Sequence, residues 1–130
     1  MFTVEQIKTA HGKVKSGADF PPFIQEIKEL GVTHYEVYVI DGHIDYHGVN
    51  NYTLKVPEKY EPLTVADTAK IEQFKAELIA HQQGKTDYLT FIKMCAETGI
   101  EKWEIFMDKM TCTYFDKERN EILVENIPSQ

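Results

Sequence analysis

From Thr33 onward the chain alternates apolar and polar residues with a period of two, which marks a half-buried strand, and Asp41-Gly42 interrupts the alternation. Thr33 to Ile40 is rich in β-branched and aromatic residues, which suit a pleated surface. An Asp-Gly pair between two such runs predicts a hairpin with a two-residue type I′ turn. That turn sets Ile40 opposite His43, Tyr38 opposite Asp45, Glu36 opposite His47 and His34 opposite Val49. Successive side chains point to opposite faces. Tyr35, Val37, Val39, Ile44 and Tyr46 therefore fall on a core face, and His34, Glu36, Tyr38, His43, Asp45 and His47 on a polar one.

Elsewhere the apolar positions repeat with the helical period. Thr3-Val4-Glu5-Gln6 reads as a capping box, followed by a stripe of Val4, Ile7, His11 and Val14 that Gly17 stops. Asp19 is a cap for a second helix with Pro21 and Pro22 in its first turn, where prolines are tolerated. Its buried stripe is Phe23, Ile24, Ile27 and Leu30, and Gly31 ends it. After the hairpin, Tyr52 to Val56 reads as a third strand and Pro57 to Pro62 as a surface crossing. Thr64 or Asp67 starts a third helix with Ile71, Phe74 and Leu78 inward, ending at Gly84. Thr86 or Asp87 caps a fourth helix, with Tyr88, Phe91, Ile92 and Cys95 inward and Gly99 as its stop. Strands follow over 102–107, 111–115 and 121–124, with 116–120 turning between the last two.

The order helix, helix, three strands therefore occurs twice, and repeats of this kind reshape the whole reading. At a spacing of 68 residues Phe23 falls on Phe91, Gly31 on Gly99, Glu36 on Glu104 and Tyr46 on Tyr114, with Tyr38 on Phe106 and Val56 on Val124. The expected fold is one α+β domain over 1–130. Two pseudo-repeated units, 1–57 and 65–125, contribute an antiparallel sheet, or two abutting ones, with helices on one face. The polar hairpin face then lies on the solvent side.

Charge and composition narrow the function. The chain has 130 residues and a formal net charge of −7, which repels nucleic acid and anionic lipid. No apolar run approaches the roughly 20 residues of a membrane span, and MFTVEQIK lacks a signal pattern. Two cysteines, Cys95 and Cys112, are too few for a disulfide framework and fall on core faces. A reduced cytoplasmic setting is expected.

The chain carries the stretches MFTVEQIKTAH, KSGADFPPFIQEIKELGV, the pattern Tyr35-Glu36, Asp41-Gly42, Tyr46 and Gly48, EQFKAELIAHQQGKTDY and EKWEIFMDKMTCTYFDKERNEILVE. Together they resemble a family of short bacterial and prophage-borne proteins of unknown function, whose members often carry the label "phage envelope protein". The resemblance spans essentially the whole chain. It implies no activity, cofactor or catalytic residue.

Two chemistries compete on the polar hairpin face. His43, Asp45 and His47, with Glu36 and His34 across the ladder, are a candidate ligand set for Zn²⁺ or a similar divalent ion. Glu36 with His47, or Asp45 with His43, could form a carboxylate–histidine dyad and make the site hydrolytic. The corresponding places in the second unit are Lys102, Glu104, Phe106, Thr111, Thr113 and Phe115, so no ligand set is duplicated, and no nucleophile motif or phosphate loop is present. The plain alternative is a solvated sheet face. Tyr38, Phe106 and Phe115 are aromatic groups on that same outer face, which suggests a binding or self-association surface. The favoured function is a non-catalytic interaction module with no cofactor, taking a protein partner or a second copy. A metal- or small-molecule-binding protein is the alternative.

Overall fold

A computed structural model describes residues 2–14 and 19–127. In chain order the elements are α1 (Val4–His11), α2 (Phe20–Leu30), β1 (Val32–Tyr38), β2 (Ile44–Gly48), β3 (Thr53–Val56), α3 (Ile71–Gln82), α4 (Tyr88–Glu97), β4 (Lys102–Phe106), β5 (Thr111–Phe115) and β6 (Glu121–Asn126). The strands form one six-stranded sheet in the order β3-β2-β1-β4-β5-β6. Every neighbouring pair is antiparallel. The fold is α+β.

Local chemistry accounts for most boundaries. Thr3 and Gln6 close a capping box at the start of α1. The Asp87 carboxylate accepts from the Thr90 amide at 2.8 Å and starts α4, while Asp19 makes no side-chain cap on α2. Gly31 follows α2 in the left-handed region, at φ 109°, the usual conformation for a helix stop. α1 ends at His11, capped by Gly12, so it is shorter than the apolar stripe predicts; Gly17 lies outside the described residues.

α3 starts at Ile71, later than Thr64 or Asp67. The reason lies in where the preceding amides go. Ala66 donates to the Ala96 carbonyl and Lys70 to the Thr98 carbonyl, each at 2.8 Å. The segment before α3 thus satisfies carbonyls at the end of α4, which have no partner within that helix, and is not free to coil.

The hairpin differs from expectation at its corner. β1 and β2 pair Glu36 with Asp45, Val37 with Ile44 and His34 with His47, and the loop is Val39–Gly42 rather than Asp41-Gly42 alone. Val39 leaves the ladder with β2: its amide donates to the Glu101 carbonyl at 2.9 Å, and its side chain is fully buried. The crossing after β3 then closes over the corner. Lys59 and Leu63 donate to the carbonyls of Asp41 and Ile40, and the Tyr60 hydroxyl donates to that of Val39 at 2.6 Å. Gly42, at φ 78°, has the Tyr60 ring 2.7 Å from where a Cβ would stand, so a side chain there meets both strain and a clash. The slip moves each partner by two positions, and this preserves the faces. Tyr35, Val37, Ile44 and Tyr46 are all buried.

The second hairpin has the same construction, with Lys102 opposite Phe115, Phe106 opposite Thr111 and a loop over 107–110. Six of the eight left-handed residues among those described fall in pairs 68 positions apart, Gly31 with Gly99, Gly42 with Met110, and Asn51 with Arg119, while Asn50 and Gly84 stand outside the pattern. One expected match is broken. A β-bulge between Tyr114 and Phe115 shifts the β5–β6 register, so Val56 is buried while Val124 is 52% exposed.

A single core cluster joins residues of all four helices to alternate residues of the strands, among them Ile24, Ile27, Phe74, Ile92, Trp103 and Ile105. Cys95 and Cys112 are buried in it as free thiols, and burial pushes both upward in pKa, Cys112 to about 12. At neutral pH both are inert thiols of the core.

Candidate functional site: the outer face of the sheet

The strand register sets the remaining side chains in three rows across the sheet. The first runs from His47 through His34 and Phe106 to Thr111. The second runs from Asp45 through Glu36, Glu104 and Thr113 to Val124. The third runs from Tyr38 through Lys102 and Phe115 to Glu121. None of these positions is a core position except Thr113, which its neighbours cover to 6% exposure.

Two rows of stacked groups flank a row of carboxylates. In the first row the His34 and His47 rings lie parallel at 4.3 Å, and Phe106 stacks on His34 at 5.3 Å. Lys109 lies over the Phe106 ring. In the third, His43 stacks on Tyr38 at 4.2 Å. Next in that row is the Lys102 ammonium, 5.6 Å from the Tyr38 ring and 5.4 Å from that of Phe115, within range of a cation–π attraction.

Glu36 is the hub. Its carboxylate accepts from Lys102 at 2.8 Å, from the Tyr38 hydroxyl at 3.2 Å, and pairs with His47 Nε2 at 3.2 Å. Partial burial by itself would raise its pKa, but the Lys102 ammonium and these hydrogen bonds outweigh that and hold it down to about 2. Lys102 also contacts Glu104 at 2.8 Å. Burial alone would lower its pKa, and the two carboxylates reverse this and raise it. His34 is pushed down, first by partial burial and then by His47, against the pull of Glu36 and Glu104.

The five residues of the expected ligand set are divided among separate partners. His43 Nδ1 pairs with Asp41 at 2.5 Å, His47 with Glu36, and Asp45 faces Lys55 at 4.0 Å. His34 Nδ1 is near the Thr33 hydroxyl. His43 precedes β2 and is engaged by Asp41 and the Tyr38 ring rather than by Asp45 or His47. Among the described residues no group of three or more His, Cys, Asp or Glu is arranged to hold a metal ion.

Tyr38, Phe106 and Phe115 do share the outer face and are half-buried. Lys102 and Glu104 were not expected as partners of Glu36. The missing link was the pairing of β1 with β4, which joins the two halves through Glu36 opposite Glu104. Two cavities among the described residues are small. One of about 120 Å³ between α3 and α4 is lined by Phe91 and Met94, and one of about 110 Å³ lies beside Phe23. Pockets for drug-sized ligands are about 300 Å³ or more. No helix among the described residues is long and apolar enough to cross a membrane.

A family model described as "Protein of unknown function (DUF1398)" matches residues 8–126. No curated protein matches the chain.

Proposed function

The chain belongs to that family of unknown function, and from this premise we propose that it is a non-catalytic interaction module that meets a protein partner through the outer face of its sheet. In this reading the chain is an internal duplication of a helix-helix-three-strand unit. A pseudo-two-fold axis passes between Glu36 and Glu104, and the helices cover only one face. Support for the duplication comes from the paired left-handed residues and from the equal construction of the two hairpins. Glu36 and Glu104, 68 positions apart, are also direct neighbours across β1 and β4.

The observation that carries the functional reading is the state of the outer face. Its central polar groups are already paired with one another, yet Phe106 and Phe115 remain half-buried and Val124 is 52% exposed. A carboxylate held near pKa 2 by an ammonium is a poor general base at neutral pH. Side chains fixed in place with apolar groups between them suit recognition of a surface.

Photo-crosslinking tests this. A photoreactive phenylalanine analogue replaces Phe106 or Phe115, and a control replaces exposed Ile79 on α3. Discrete adducts from the sheet positions and none from position 79 are expected. Adducts from position 79 alone, or none from the sheet, would discard the reading.

A further inference from the structure

We propose that the stacked His34 and His47 rings form an acid-operated latch on the outer face: neutral, they lie with Phe106 in one closed row across β2, β1 and β4, and when both are protonated they part and leave the row cationic. The latch belongs to the chain by itself and operates whether or not a partner meets this face.

Hydrogen bonds assign the protons of the closed form. The Thr33 hydroxyl donates its one proton to the His47 carbonyl at 3.0 Å, so at its 3.3 Å contact with His34 Nδ1 it accepts. Neutral His34 therefore carries its proton on Nδ1, and its bare nitrogen is Nε2. His47 Nε2 is paired with Glu36 at 3.2 Å, and its Nδ1 lies 3.4 Å from the Thr53 hydroxyl. Neutral His47 thus donates from Nε2 to the carboxylate and accepts from Thr53 at Nδ1. Each ring keeps one lone pair for a further proton, and the two ring faces lie parallel at 4.3 Å.

The two added charges are not equivalent. A proton on His47 completes an ion pair with Glu36. One entering His34 at Nε2 completes no such pair among the described residues, and it sets a second cation against the face of the first. The surrounding groups do not cancel it. On β1 and β4, Glu36 and Glu104 attract it, but Lys102 already bridges both at 2.8 Å. On β2, Asp45 faces Lys55 of β3. In the loop after β4, Lys109 lies over the Phe106 ring that covers the other side of His34, which adds a like charge to the same row. Burial and the facing His47 hold His34 below the ordinary imidazole range, against the pull of Glu36 and Glu104. Both rings are only half-buried, so a change of rotamer takes His34 into solvent without moving the strand. Acid thereby alters the charge and the shape of the face together.

NMR of the histidine and Phe106 rings in the whole chain, from about pH 8 to about pH 5, reads the latch. Ring-to-ring contacts between His34 and His47 are expected at the upper end and their loss at the lower, with the signals of buried Tyr35 and Trp103 unchanged. His47→Phe keeps a flat ring and removes the second charge. His34 should then titrate nearer the ordinary value of about 6.5, and its contact with the ring at position 47 should persist in acid, because an aromatic face attracts a cation. His47→Gln removes ring and charge together and should move the His34 midpoint in the same direction, which covers the case of a poorly folded phenylalanine variant. Stacking that survives in the unaltered chain after both rings are protonated overturns the proposal. So does a His34 midpoint that neither substitution moves, a stack that His47→Phe also loses in acid, or a loss of contact that coincides with unfolding of the core.

Discussion

His34 and Lys102 stand 68 residues apart on the two central strands, one stacked between His47 and Phe106, the other ion-paired with Glu36 and Glu104. The backbone around them is alike in both halves, with the same loop placement and the same left-handed corners. Side-chain chemistry differs between the two on this similar backbone. The first half carries the histidines, and the second carries Phe106, Thr111, Thr113 and Phe115. What the comparison teaches is that like turn geometry can carry unlike outer surfaces, because a left-handed residue or a stop cannot be exchanged freely, whereas a half-buried outer position can.

The two helix stops give the sharpest break in the parallel. A Cβ on Gly99 would lie 2.6 Å from the Thr68 carbonyl oxygen and 2.8 Å from the Ala69 Cα, whereas one on Gly31 would meet only Phe2 at 3.8 Å. Gly99→Ala should cost about 3 kcal/mol or more, from backbone clash added to left-handed strain, and Gly31→Ala about 1 kcal/mol from strain alone. Urea denaturation of both variants measures this. Equal losses would mean that the crossing segment does not press on Gly99.

Next in size is the exchange between the central strands. Lys102→Ala leaves Glu36 and Glu104 adjacent and without a counter-charge, at a cost of about 2 kcal/mol for this half-buried site. His34→Ala loses ring stacking and should cost about 1 kcal/mol or less. The same denaturation assay ranks them, and a larger loss at His34 would contradict the ion network as the centre of the face.

Acid separates the halves again. The folded-state pKa of Glu36 is depressed from 4.5 to about 2, so the unfolded chain binds the proton more readily. Its contribution is complete above about pH 4.5 and is lost as pH falls toward 2; allowing for solvent, it amounts to about 1–2 kcal/mol. Glu36→Gln should flatten that part of the stability profile. His34, His11 and His81 also have lowered pKa values, chiefly from burial. Being bases, they charge more readily when unfolded, so stability should begin to decline as pH drops below about 6.5. Melting temperatures across the pH range would show the two steps, and His34→Gln should reduce the upper one.

The smallest effect has the opposite sign. Asn51 and Arg119 both adopt left-handed conformations, at φ 64° and 66°. Asparagine tolerates this better than arginine. Arg119→Gly, at an exposed turn, should stabilise by about 0.5–1 kcal/mol, while Asn51→Gly should change little. Differential melting of the two variants measures the contrast.

Much of this frame was legible in the residues. Core faces followed from alternation, and the β1–β2 faces survived a register slip because the slip was of two positions. The capping residue Thr3 announced α1 directly, and Asp87, one of two candidates with Thr86, announced α4. What was hidden depended on distant contacts. The two-residue turn failed because Val39 is drawn to Glu101 and because Tyr60 closes the corner, neither of which a local window contains. The match of Val56 to Val124 failed at a bulge that no residue type between Tyr114 and Glu121 advertises. The expected ligand set followed from spacing on an idealised hairpin; once the corner lengthened, His43 went to Asp41 and Glu36 went to Lys102 on a strand from the other half.

The interaction reading requires an outer sheet face that its own chain leaves uncovered. Paramagnetic broadening by a soluble gadolinium chelate, read by NMR on dilute protein, tests it most directly. In dilute protein the ring and methyl signals of Tyr38, Phe106, Phe115 and Val124 should broaden while those of Tyr35, Val37, Trp103 and Tyr114 do not. Shielding of the first group even at high dilution would contradict the claim.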